Sequence, residues 1–159
     1  MINMTKLDKI DRTLLQILRH QPRTPVAELA RLASVARGTA QARISRLEDS
    51  GVIASYGPDV NATAIGFGVL AFVTLEIAQA QDDTIIKHLA AIPEVLEVHA
   101  VTGPGDLLCR MVARSNEHLD EVLQQVLSVP QARRTMSQLV LNTRLRRAEV
   151  DLAISVQAV

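Results

Sequence analysis

The sequence predicts an α+β chain: an N-terminal winged helix-turn-helix unit followed by a ferredoxin-like βαββαβ unit. Three observations carry that expectation. Two short helical stretches are separated by about three residues and preceded by a longer amphipathic one. The signals change character near Gly66. Beyond it, strand-like and helix-like runs alternate in the order β-α-β-β-α-β.

Residues 7–20 place Leu7, Ile10, Leu14, Ile17 and Leu18 on one helical face, and Pro22 closes that helix. Thr24 is read as the N-cap of a second helix, with Pro25 at its first position and Val26, Leu29 and Ala30 turned inward. A break at Ala33-Ser34-Val35 leads to a third helix from about Ala36 to Asp49, which Gly51 is placed to end in the left-handed conformation. Val52 to Tyr56 reads as a strand or wing, and Asn61 as the cap of a single turn before Gly66. Phe67 to Ile77 reads as a buried strand. A helix capped by Asp82 carries Ile85, Ile86, Leu89 and Ile92 up to Pro93. Strands follow over Val95 to Thr102 and Leu107 to Ala113, joined by Gly103-Pro104-Gly105. Ser115 or Asn116 caps a helix carrying Leu119, Val122, Leu123 and Val126, ended by Pro130. A fourth strand covers Thr135 to Thr143. The expected domains are 1–62 (helix-turn-helix with wing and linker), 63–147 (the βαββαβ unit) and an unassigned tail, 148–159.

Composition narrows the function classes. The chain has 159 residues, 48% of them hydrophobic and 21% charged, enough apolar material to bury a core. Tyr56, Phe67 and Phe72 are its three aromatic residues, which argues against a nucleic-acid binder built on stacking platforms. The longest apolar run, Ala64 to Val73, is too short to span a bilayer. The opening MINMTKLDK lacks the apolar core of a signal peptide, so a cytoplasmic protein is expected. Cys109 stands alone, fits a reducing compartment, and reads as core filler. His20, His88, His99 and His118 show no metal-ligand spacing, although His99 ends a strand where it could sense a ligand. No catalytic constellation and no cofactor motif emerge.

Charge is zero overall but unevenly distributed. Residues 1–60 hold nine Lys/Arg against six Asp/Glu, and 61–159 hold eight against eleven. The segment 23–46 contains Arg23, Arg31, Arg37, Arg43 and Arg46 against one acid, Glu28. Nucleic acid is the commonest partner of such a local basic block. On the third helix, Ala40, Ile44 and Leu47 share the core side. Gly38, Ala42, Ser45 and Arg46 lie opposite, with Arg37, Thr39, Gln41 and Arg43 along the margins. Small side chains between arginines let a helix backbone sit deep in a major groove about 12 Å wide. Marginal Arg and Gln can then reach base edges or phosphates. A solvated helix with scattered arginines is the plainer alternative.

Motifs in both halves resemble the Lrp/AsnC (feast/famine) family of transcriptional regulators. They are LDKID (7–11), RISRLEDSGVI (43–53), the Pro93-Glu94-Val95 run before the second strand, and VTGPGD (101–106). The resemblance covers about residues 6–147. It implies binding of double-stranded DNA by homodimers, often assembled into octamers through the regulatory (RAM-type) domains. A small effector, commonly an amino acid, is expected between those domains. Carried over, Arg43 and Arg46 would touch DNA, while Thr102, Gly103, Gly105 and Asp106 would border the effector pocket, with Thr135 and Ser137 as further candidates. In that site, loop N–H groups would meet the effector carboxylate and Asp106 its ammonium, although turn chemistry alone would also explain the loop. Replacing Arg43 and Arg46 by Ala is expected to abolish DNA binding while sparing assembly and effector affinity. The sequence departs from the family pattern at Ser34, where Gly is usual, and at Ala36, where a capping Ser is usual. A missing cap costs about 1 kcal/mol. Pro104-Gly105 also replaces a larger pair. The runner-up function is an enzyme, since sirohaem-type tetrapyrrole decarboxylases resemble the same two-domain architecture. A small-molecule-binding assembly module without DNA is a third reading. The arginine-flanked, small-faced helix favours the non-enzymatic DNA reader.

Overall fold

The computed structural model describes residues 5–78, 83–128 and 132–155. It divides into two compact units, Met1–Pro58 with Leu145–Val159, and Asp59–Arg144. The expected caps at Asp82 and Pro130 lie outside the described residues.

The first unit contains α1 (Lys9–His20), α2 (Val26–Leu32), α3 (Arg37–Asp49) and, from the chain's other end, α6 (Glu149–Ser155). Leu14, Leu29, Ala30, Ala40 and Ile44 form its buried centre, with Ile10, Ile17, Leu18, Val26, Val35 and Ile53 packed around them. These are the apolar positions that helical periodicity selects. The second helix starts differently from expectation. Pro25 is itself the N-cap of α2, and Thr24 donates its hydroxyl to the Gln21 carbonyl instead of capping. The turn before α3 has Ser34 at φ 55°, the one non-glycine residue in the left-handed region among the described residues. Ala36 starts α3 without a side-chain cap. Val52 to Tyr56 forms no strand. Its residues serve the helices instead: the Ile53 N–H donates to the Leu47 carbonyl, and the Tyr56 hydroxyl donates to Glu48 at 2.7 Å.

The N-terminus of α1 is tied to α3 by charge. Asp8 caps α1 and accepts from the Ile10 and Asp11 N–H groups, while Asp11 accepts from the Asp8 N–H, closing a reciprocal capping box. Both carboxylates also face arginines of α3. Arg43 pairs with Asp8 and, at 3.3 Å, with Asp11; Arg46 reaches Asp11 at 2.5 Å. Asp11 is fully buried (0% exposed) and is the one charged residue in the core among those described.

The second unit is a four-stranded antiparallel sheet in the order β2-β3-β1-β4, built from β1 (Val69–Ile77), β2 (Val95–Ala100), β3 (Leu107–Ala113) and β4 (Ala132–Leu139). The fourth strand thus starts and stops earlier than expected. Helices α4 (Asp83–Ala90) and α5 (Asn116–Leu127), the latter capped by Ser115, supply Ile85, Leu89, Val122 and Val126 to a core with Val73, Leu75, Leu107, Cys109 and Met111. Burial pushes the Cys109 thiol up to about 11, so it behaves as apolar filler. Strand alternation leaves Leu70, Phe72, Thr74, Glu76, Leu108, Arg110 and Met136 on the face opposite the helices. Asn61 accepts from the Thr63 N–H at the 3-10 turn Thr63–Ile65, ahead of β1. Among the described residues, no helix is long and apolar enough to cross a membrane.

The first unit's strain and buried charge can be measured through stability. A left-handed non-glycine residue stores roughly 1 kcal/mol of strain, so Ser34→Gly should raise stability in urea titration by about 0.5–1 kcal/mol. Removing a buried ionic partner costs about 3 kcal/mol or more, so Asp11→Ala should lower it by about that amount. The Asp11 backbone N–H, and beside it the Arg43 guanidinium, hold the Asp8 carboxyl below its ordinary value of 3.8. A depressed folded-state value adds stability above about pH 4, where the unfolded carboxyl ionises. That increment should vanish as pH falls through the lower folded value, and Asp8→Asn should flatten the acid limb of a pH–stability curve.

Candidate functional site

Two surfaces can carry function, one in each unit. The first is the outer side of α3. Ala40, Ile44 and Leu47 are buried, whereas Arg37, Gly38, Thr39, Gln41 and Ala42 are exposed and Ser45 is half-buried. A Cβ placed on Gly38 would meet nothing within 4 Å, so the middle of this face is open. Gln41 reaches Ser45 only at 3.4 Å, a weak tie that leaves its amide available. Arg37 has no acidic partner among the described residues.

Arg43 and Arg46 differ from the expectation drawn from the motif. Both guanidiniums are engaged by Asp8 and Asp11. The LDKID and RISRLE motifs are therefore two halves of one interaction. In the sequence they look like separate signatures, because their pairing spans more than 30 residues. Replacing both arginines by Ala would strand the buried Asp11 carboxylate, so loss of DNA binding in that variant would not identify a DNA contact. Arg31 is similarly held by Glu28 at 2.6 Å. Of the five arginines counted in 23–46, Arg23 and Arg37 remain outside ion pairs among the described residues.

The second surface lies where the β2–β3 loop folds against β1. The Asp106 N–H donates to the Leu75 carbonyl at 2.8 Å, and the Asp106 carboxylate accepts from the Ile77 N–H at 2.8 Å. That second bond sits at the bulge between Glu76 and Ile77, where regular pairing with β4 breaks. Asp106 is thus a clamp on β1, a task different from the ammonium acceptor expected of it. Gly103 adopts φ 121°, and Gly105 is required by space: a Cβ there would collide with Thr74 Cγ2 and lie 3.1 Å from the Leu75 carbonyl oxygen. The loop borders a cleft of about 200 Å³ lined by Thr74, Glu76, Pro104, Arg134, Thr135 and Met136.

Of the expected effector residues, Thr135 lines this cleft. Thr102, Gly103, Gly105 and Asp106 belong to the loop that shapes it, and Ser137 lies farther along β4 opposite Val73. Glu76 and Arg134, both in the lining, do not stand out in the sequence, because a charged residue at a strand end gives no signal by itself. His99 pairs with Glu97 at 3.2 Å and is not among the lining residues.

Comparison with known proteins agrees with both surfaces. The AsnC-type helix-turn-helix domain matches residues 7–48, and the Lrp/AsnC ligand-binding domain matches residues 70–150. The HTH-type transcriptional regulator FL11 of Pyrococcus horikoshii is 28% identical over 146 residues, covering 92% of this chain and 97% of the relative. Among solved structures, AsnC of E. coli superimposes with a TM-score of 0.83 at 26% identity, over 91% of this chain and 98% of that one. The feast or famine regulatory protein from M. tuberculosis, complexed with L-methionine, gives 0.76 at 31% identity, over 88% and 95%. With a helix-turn-helix ahead of a ligand-binding sheet and relatives named as regulators, the chain is not an enzyme: it belongs to the Lrp/AsnC family of transcriptional regulators.

Proposed function

We propose that this chain is a sequence-specific regulator that reads duplex DNA through the outer face of α3. It acts in the cytoplasm as a homodimer, with octamers as the higher assembly. A small effector, an amino acid or related metabolite, alters its DNA binding or its assembly. The observation that carries the reading is the open, small-residue centre of α3, held outward by an ion-pair cluster on the opposite side of its arginines. Gly38, Thr39, Ala42 and Ser45 would admit the groove wall, while Arg37 and Gln41 reach phosphate and base edges. Arg43 and Arg46 contribute by orienting α3. Leu70, Phe72, Leu108 and Met136 on the uncovered sheet face support pairing of subunits through the sheets.

The effector is placed at the β2–β3 loop, with Thr102, Gly103, Gly105 and Asp106 shaping the site and Thr135 and Ser137 on the neighbouring strand. The M. tuberculosis relative's complex with L-methionine makes that amino acid the first to test.

Ala42→Tyr fills the centre of the face without touching the core. It should reduce binding to selected duplex fragments at least a hundredfold in a mobility-shift titration while leaving the melting temperature unchanged. Arg37→Gln should lower the slope of log affinity against log salt by about one, as expected when one phosphate contact is lost. Unaltered DNA affinity in both variants would remove α3 from the reading. A thermal-shift screen of the twenty amino acids checks the effector half. A ligand at a hundred times its Kd stabilises the folded state by about 2.7 kcal/mol, and a screen without any rise would eliminate an amino-acid effector.

A further inference from the structure

Two residues of the loop-end cleft carry charges that nothing in the structure satisfies. Glu76 and Arg134 are directly opposed in the β1–β4 ladder, a relation that starts their Cβ atoms about 5 Å apart. Opposite charges so placed normally close on each other, and an internal control lies on the same sheet face. Glu97 and Arg110 hold the equivalent relation between β2 and β3 and form an ion pair at 2.9 Å, with His99 adding a second partner to Glu97 at 3.2 Å. Glu76 and Arg134, in contrast, make no ion pair or side-chain hydrogen bond among the described residues. The bulge between Glu76 and Ile77 explains how they stay apart, because it re-aims the strand at the point where pairing would occur.

The surroundings specify what could bridge them. The cleft, about 200 Å³, is below the range of about 300–1,000 Å³ typical of drug-sized ligands, so its occupant is small. Its remaining lining is Pro104, Met136, Thr74 and Thr135, largely apolar with hydroxyls at the margin. Asp106, the other carboxylate nearby, already accepts from the Ile77 N–H, which leaves Glu76 as the carboxylate open to a cation. A molecule carrying a cation and an anion a few atoms apart, with an uncharged side chain, would satisfy both strands at once.

We propose that Glu76 binds the ammonium and Arg134 the carboxylate of a zwitterionic α-amino acid whose uncharged, apolar side chain lies against Pro104 and Met136. The assignment rests on the effector reading above and names the residues that would execute it. Because Glu76 lies on the sheet face assigned to subunit pairing, occupancy of the cleft would bear directly on assembly.

The experiment is calorimetric titration of the full chain with L-methionine, N-acetyl-L-methionine and L-methioninamide, in wild type, Glu76→Gln and Arg134→Gln. The other nineteen amino acids are titrated if methionine gives no heat, and derivatives of the best binder then replace those of methionine. Each blocked derivative should bind wild type at least about tenfold more weakly, the cost of one charge-assisted contact. Glu76→Gln should weaken the free amino acid about as much but leave the N-acetyl derivative unchanged, because the same contact is already gone. Arg134→Gln should do the same for the amide. Both side chains are exposed and unpartnered, so the variants should melt with the wild type. Wild type and both variants binding the same amino acid within twofold would overturn these anchors and leave the effector reading standing. Wild type binding none of the twenty would overturn both.

Discussion

The buried carboxylate of Asp11 is the constraint around which the DNA-reading unit is arranged. A charge fully removed from water is tolerable only when hydrogen-bonded and paired. Asp11 meets that condition with the Asp8 N–H, Arg43 and Arg46. Those donors come from two helices, so satisfying the carboxylate fixes where α3 stands against α1 and how far it is rotated about its own axis. Apolar packing of Ala40, Ile44 and Leu47 alone is less selective, since neighbouring rotations would bury similar area. The arginines supply the angular precision, and Gly38, Thr39, Gln41 and Ala42 face outward as a result.

This arrangement changes the meaning of the basic block. Counted along the sequence, 23–46 carries five arginines to one acid. In the folded chain, Arg31, Arg43 and Arg46 are neutralised locally by Glu28, Asp8 and Asp11. The cations free to displace counterions are fewer than the composition suggests, so DNA affinity in this unit leans on close approach and base-edge contact more than on charge density. A short-faced helix suits that balance, because contacts at base edges require the backbone to come near.

Periodicity makes most elements legible in the sequence alone. The apolar stripes of α1, α4 and α5, the Ser115 cap, the Asn61 turn and the left-handed Gly51 are local events, determined by residues within a turn or two of each other. What escapes is pairing across distance. The Asp8–Arg43 link, the Asp106–Ile77 bond and the unsatisfied opposition of Glu76 and Arg134 join positions about 30 to 60 residues apart, and no window of sequence contains both partners. Thr24 fails as a cap for a different reason. Its hydroxyl finds the Gln21 carbonyl first, the local competition that makes Ser and Thr ambiguous at helix starts. The segment 52–56 resembles a wing because short apolar runs after a glycine do not distinguish a strand from a chain that packs one residue and leaves.

The last stretch of chain shows why a tail can be structured without a conspicuous signal. Glu149–Ser155 is only seven residues, too short for a helix to hold by itself. It forms against α1, with Asp151 accepting from both the Ala148 N–H and Arg19. Those two donors, the Ala148 amide first, hold the Asp151 carboxyl below its ordinary value, although an exposed pair of this kind adds little stability. The consequence is topological. The chain enters the sheet unit after Pro58 and returns from it at Leu145, so the DNA-reading unit is joined to the ligand-binding unit by two covalent crossings. A change in the sheet unit can therefore act on α1 through α6 as well as through the linker ahead of β1, and α1 is the helix whose Asp11 sets the rotation of α3. The two ends of that route, a cleft at Glu76 and Arg134 and a helix face at Ala42, are then linked by the chain's own connectivity, with one of the links held by a contact weak enough to open.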